Sequence, residues 1–148
     1  MKPKNPDFAA ETRRVLAEAP FIADLGIEAS GFEPGHCETS LNIHHRHLQQ
    51  DGFVHAAVQA AIADHTAGAA AATLIGAEQM VLTVEFKINL LRPARGERLR
   101  CLARVLKPGN RISVVESEVF CEHSGSAKLV SKATVTLAVM EKNGEEKS

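Results

Sequence analysis

Hydrophobic and polar positions follow two different rhythms in this chain, and the change comes at Gly76. Residues 5–18 carry Phe8, Thr12, Val15 and Leu16 at helical spacing. With Asn5 as a cap and Pro6 in the first turn they predict an amphipathic helix, which Ala19-Pro20 should end. Gly26–Phe32 and His36–Ile43 alternate loosely around Glu33-Pro34-Gly35 and read as a hairpin. His44–Gly52 is polar and unpatterned, a loop. Phe53–Ile75 then holds ten alanines between Ala56 and Ala72. This composition predicts a helix of roughly 20 residues and ~30 Å, stopped by Gly76. Beyond it the period falls to two. Gln79–Leu91, Glu97–Lys107, Arg111–Cys121 and Lys128–Met140 read as strands joined by short turns, and the charged residues from 141 or 142 to 148 as a frayed tail.

Long strands with tight turns form an antiparallel sheet, and such a sheet must bury one face. The alanine-rich helix, apolar or small all round, is the element that can fill it. The expected architecture is α+β, a curved antiparallel sheet wrapped around a long central helix within one domain spanning residues 1–148. This is the arrangement of a hot-dog fold. Asp64 stands near the middle of that helix, where a buried carboxylate must be paired, neutralised or used. At about 100° per residue it shares a side with Ala57, Ala60, Ala61, Gly68 and Ala71. Two readings follow: a structural Asp bonding a neighbouring strand or partner subunit, or a carboxylate that meets a ligand.

Composition narrows the setting. A formal net charge of −1 supplies no field that would draw the chain to nucleic acid or membrane, and the absence of Trp and Tyr leaves few stacking platforms for bases. MKPKNPDF has no apolar leader core, and Asp64-His65 interrupts the most apolar stretch, so neither secretion nor a membrane span is expected. Cys37, Cys101 and Cys121 are odd in number and widely spaced, as befits buried thiols in a cytoplasmic protein.

Two motifs carry a resemblance. Leu48-x-x-x-Gly52-x-x-His55 leads into the helix that bears Asp64, and Thr83-Val-Glu-Phe-x-Ile-Asn-Leu-Leu-Arg-Pro-Ala94 follows on the next strand. Over roughly residues 24–140 the chain resembles hot-dog acyl-CoA thioesterases of the phenylacetate-degradation (PaaI-like) type. The resemblance implies hydrolysis of an acyl-CoA to a free acid and coenzyme A, with no cofactor beyond the coenzyme A of the substrate. It implies Asp64 as general base or nucleophile and Ala56 as the backbone oxyanion donor. It also implies Gln49 as an amide near the thioester, and Thr83 as a hydroxyl that helps hold water. Relatives read His-Gly-Gly at the helix start; here the residues are His55-Ala56-Ala57. His55 is read as a hydrogen-bonding residue orienting the loop, with a direct catalytic role as the alternative.

Unsatisfied amides at a helix start carry partial positive charge and suit an oxyanion, and alanine keeps that N–H. Yet Ala56 and Asp64 lie eight residues apart, about 12 Å along one helix. A single carbonyl carbon cannot meet both. A homodimer with shared sites is therefore expected, and the resemblance implies the same geometry, with dimers often paired into a dimer of dimers. Residues 87–111 hold eight of the seventeen Lys and Arg against one acid, Glu97. They are either a solvated strand face or a phosphate rim for coenzyme A, for which Arg92, Arg95 and Arg111 are the candidates. His44, His45 and His47 lack the carboxylate or Cys partners of a zinc site, so no metal is expected. Two rivals remain: a non-catalytic acyl-CoA-binding or regulatory protein, and a hot-dog dehydratase, whose His-carboxylate motifs are not found here.

Overall fold

The computed structural model describes residues 1–142. Helix α1 runs Phe8–Ala17 and buries Thr12 and Leu16, as the stripe requires. Asn5 acts one turn earlier than a cap. Its side-chain oxygen accepts the Asp7 N–H at 2.9 Å and its carbonyl the Phe8 N–H at 3.2 Å. Pro20 does not simply end this helix. It opens a second one, α2 (Pro20–Leu25), at the position where a missing N–H costs nothing. Strands β1 (Ile27–Glu33) and β2 (His36–Asn42) form the expected hairpin, with Gly35 at φ 84° in its two-residue turn. The segment read as an unpatterned loop contains a 3₁₀ turn, His45–His47, and a core histidine. His47 is buried. Its Nδ1 accepts the His44 N–H at 2.9 Å, its Nε2 donates to the Leu25 carbonyl at 2.7 Å, and burial pushes its pKa down.

The alanine-rich stretch forms α3, Ala56–Ala72, 17 residues long. It stops four residues short of Gly76 because Thr73 ends it. That hydroxyl donates to the Ala70 carbonyl at 2.6 Å and accepts the Gly35 N–H at 2.8 Å, which ties the helix end to the first hairpin. Strands β3 (Gln79–Leu90), β4 (Arg98–Lys107), β5 (Ile112–His123) and β6 (Ser126–Glu141) complete an antiparallel six-stranded sheet of order β1-β2-β4-β5-β6-β3. The strict alternation of β4 is realised: Leu99, Cys101, Ala103 and Val105 are all buried. α3 packs against all six strands, giving the hot-dog architecture. The sheet is open, with β1 and β3 as edges. Two buried hydroxyls fix the helix on it: Thr66 bonds Thr39 at 2.6 Å, and Ser117 donates to the Ala63 carbonyl at 2.8 Å. Of the tail, Glu141 and Lys142 are held rather than frayed. Gln79 donates to the Glu141 carboxylate at 2.8 Å, and the Lys142 ammonium donates to the Ala77 carbonyl at 3.0 Å. The rest of the tail lies outside the described residues. Among the described residues no helix is long and apolar enough to cross a membrane.

One expectation for α3 needs correction. The sheet covers Val58, Gln59, Ile62, Ala63, Thr66 and Ala67, but Ala57 is exposed and Ala60, Ala61 and Asp64 are only half-buried in the single chain. Alanine is small on every side, so its sequence does not mark which side the sheet will take. Strand β3 lies beside this open face. Its register with β6 shifts between Thr83 and Glu85, a bulge at Val84. Before the bulge Val81 packs on the core and Thr83 reaches α3; after it Ile88 does the packing. The extra residue reverses the parity, so Phe86 and Leu90 turn to the helix side. Both are exposed, as are Leu82, Val84 and Leu91, on an edge strand of 12 residues.

Candidate active site

Asp64 projects from the middle of α3 toward β3, where the Thr83 hydroxyl donates to its Oδ1 at 2.7 Å. The second carboxylate oxygen has no partner among the described residues and remains available to water or substrate. The pairing fits the positions that the two motifs single out. Asp64 opens into a pocket of about 330 Å³ between α1, α3, β3 and β6. Its apolar lining includes Val15, Ala72, Ile75, Val81 and Leu137, with His65 and Gly68 beside the carboxylate. His65 is half-buried and its Nε2 has no well-formed hydrogen bond. Burial lowers its pKa, while the nearby Leu16 carbonyl and Asp64 pull the other way. At the outer wall Glu11 meets Arg14 at 2.8 Å and Lys142 at 3.1 Å.

The helix start is a second cluster. His55 is the N-cap of α3, and its Nδ1 accepts the Ala57 N–H at 2.9 Å. The ring thereby caps the first turn of α3. The Ala56 N–H, one residue earlier, finds no acceptor among the described residues and points out of the exposed helix end. Gln49 closes the preceding loop. Its side-chain oxygen accepts the Asp51 N–H and, at 3.2 Å, the Phe53 N–H. The amide nitrogen of the same side chain has no acceptor among the described residues. Gly52 takes φ 84° inside this loop, a left-handed backbone conformation that strains any residue with a side chain. Hence the glycine in the Leu48-x-x-x-Gly52 motif.

Arg95 lies over the Phe53 ring, 5.1 Å from its centroid, and the Val54 N–H bonds the Ala94 carbonyl at 2.8 Å. The link from β3 to β4 is thereby fastened beside the helix start. Arg92 and Arg95 line a pocket of about 240 Å³ together with His123 and Lys128. Arg111 is not with them. It precedes β5, whereas His123 ends it, so Arg111 sits ~36 Å away along the strand. Arg98, Arg100 and Arg104 answer to the solvated-face reading: they pair across strands with Glu122, Glu38 and Glu116 at 3.4–3.8 Å. Lys128 and His123 had no signal in the local sequence. Only the β5–β6 turn and the antiparallel register bring them opposite Arg92.

Within one chain, then, Asp64 and Thr83 form one half-site, and Gln49, His55 and Ala56 form another at the helix start with Arg92 and Arg95 nearby. Other nucleophiles are poorly placed. Cys37, Cys101 and Cys121 are free and buried, and burial pushes the first two thiols up to about 12.

This fold matches known proteins. The model of the Thioesterase superfamily fits residues 51–128, which include Asp64, Thr83, His55 and Ala56 but not Gln49. A thioesterase family protein from Silicibacter pomeroyi superposes with a TM-score of 0.89 at 34% identity, covering 90% of this chain and 98% of its own. A thioesterase from Haemophilus influenzae is similar at 25% identity and TM-score 0.82, covering 92% of this chain and 93% of its own. A phenylacetic acid degradation-related protein from Ralstonia eutropha shares the fold with a TM-score of 0.74 at 24% identity, over 88% of this chain and 98% of its own. The chain belongs to the thioesterase superfamily, and thioester hydrolysis is the general chemistry that membership supports.

Proposed function

We propose that the protein is an acyl-CoA thioesterase working as a homodimer. The observation that carries the reading is Asp64: a carboxylate held by Thr83 at 2.7 Å, with one oxygen free, at the head of an apolar pocket. Asp64 takes a proton from a water molecule whose oxygen attacks the thioester carbonyl carbon. The oxyanion so formed accepts from the partner's Ala56 N–H, while the partner's Gln49 amide contacts the thioester. Collapse breaks the C–S bond and expels the coenzyme A thiolate, which recovers the proton from Asp64 and leaves the free acid. Direct attack by Asp64 through an anhydride would use the same groups.

Two features support the shared site. The half-sites stand ~12 Å apart on one helix, too far for one carbonyl. The free edge of β3 and the open face of α3 form one apolar surface that a second copy of this chain can cover, edge to edge. Pairing of such dimers into a tetramer is compatible with this geometry. The pocket of Arg92, Arg95, Lys128 and His123 supports coenzyme A as the thiol carrier, since its phosphates suit guanidinium forks. Three free cysteines fit a cytoplasmic setting. The chemistry is complete without a metal or further cofactor. Replacing Asp64 by Ala should lower kcat across a panel of acyl-CoAs by roughly 10²–10⁴-fold. Unchanged turnover would remove Asp64 from the mechanism, and tight binding without turnover in the wild type would favour a non-catalytic acyl-CoA-binding protein.

A further inference from the structure

Gly68 stands one turn beyond Asp64 on the same side of α3, among alanines at 67, 69, 70, 71 and 72. Glycine is the poorest residue for a helix interior short of proline. Among the described residues nothing asks for it here. A Cβ at this position would meet no atom closer than Leu137 Cδ2, at 3.9 Å, an ordinary contact. Alanine would fit and would strengthen the helix. What a side chain at 68 would enter is the pocket that begins at Asp64.

The shape of that pocket says what crosses the glycine. Asp64, Gly68 and Ala72 follow one another along its floor at intervals of four residues, and Ile75 and Met80 stand at its far end. From Asp64 to Ala72 is two turns, ~12 Å. An extended chain advances ~1.2 Å per bond, so this length holds about ten bonds. Val15 from α1, Val81 from β3 and Leu137 from β6 wall the groove, and the Glu11–Arg14–Lys142 cluster lies at its solvent side. A ligand that starts at the carboxylate and runs toward Ala72 passes over position 68, and a side chain there would occupy part of its path.

We infer that Gly68 is a specificity-determining residue: the groove over Gly68 and Ala72 takes a straight, apolar acyl chain of about ten carbons. The inference rests on the thioesterase reading above and adds the class of acyl group. The experiment compares wild type, Gly68→Ala and Gly68→Val in kcat/KM for straight-chain acyl-CoAs from acetyl to palmitoyl. Wild-type kcat/KM should rise by up to threefold to fourfold per added methylene, and level off near ten carbons where the groove ends. The decanoyl-to-acetyl ratio should fall at least tenfold in Gly68→Val and by less in Gly68→Ala, although Gly68→Ala raises Tm. Calorimetric binding of decanoate, the expected product, to the same three proteins reads the groove without turnover. A wild type that hydrolyses no acyl-CoA, yet binds decanoate in a manner lost in Gly68→Val, would defeat the catalytic reading and leave the groove standing. An unchanged chain-length ratio and unchanged decanoate binding in a folded variant overturn the inference. So does a change of oligomeric state in Gly68→Ala, which would assign the glycine to helix packing between subunits.

Discussion

Ala56 occupies the first helical position of α3, and that position allows a clean test of the oxyanion donor. Proline is well tolerated there, because the N–H it lacks has no partner within the helix. The preceding His55 sits at φ −58°, ψ 138°, the conformation a residue before proline prefers. Ala56→Pro should therefore fold with a Tm near that of the wild type while deleting the one amide proposed to hold the oxyanion. Its kcat should drop by roughly 10²–10³-fold; full activity with an intact fold would assign that role elsewhere. Alanine in place of the usual glycine does not prevent the role, since the N–H is retained and exposed. At this scale the motifs were good guides. They single out Asp64 and Thr83, which the fold brings to 2.7 Å, and His55, which caps the helix that carries Asp64. They failed for residues whose position depends on strand ends. Arg111 looked like a neighbour of Arg92 and Arg95 in the linear sequence, yet β4 and β5 carry it to the opposite end of the sheet, and Lys128 takes its place.

At the scale of elements, a charge cluster braces α1: Glu11 pairs with Arg14 within the helix and with Lys142, just past β6, at 3.1 Å. Arg14 above all, with Lys142 adding, holds the Glu11 carboxyl at about 2, although burial pushes it up. A carboxyl whose folded pKa is depressed contributes stability that is complete above its unfolded value. That contribution fades as pH falls from about 4.5 toward 2. Thermal unfolding at a series of pH values should show Glu11→Gln less stable than wild type at pH 7, with the gap closing over that acid window. A gap independent of pH would mean that the ion pairs of Glu11 do not stabilise the fold. Strand boundaries were legible to within two residues for all six strands, closely so for β4, where alternation is strict because one face is buried. Helix ends were not. Pro20 reads equally as a stop and as a start, and the end of α3 depends on Thr73 reaching Gly35, a contact between segments 38 residues apart. The bulge at Val84 was also hidden, since the alternation of β3 is broken there and either parity can be read from its residues.

At the scale of the molecule, the open face of α3 was the least legible feature, because a helix of alanines reads as buried whichever neighbour buries it. In the single chain that face and the edge of β3 remain exposed. If a second copy covers them, each active site takes Asp64 from one subunit and Ala56 from the other. Two inactive variants then become informative in mixture. In a hybrid dimer of Asp64→Asn and Ala56→Pro, both lesions fall in the same site, and the other site is intact. Random reassortment makes half the dimers hybrid, and each hybrid has one working site of two. The mixture should therefore recover about a quarter of wild-type activity after dissociation and reannealing. A site built within one chain would carry a lesion in every copy, and mixing would restore nothing. Phe86→Glu supplies the matching control. Its side chain is 43% exposed in the single chain, so a charge there is tolerated by the monomer but not at a covered edge. That variant should elute as a monomer with native circular dichroism and lose hydrolysis, and it should also fail to rescue either partner in the mixing assay.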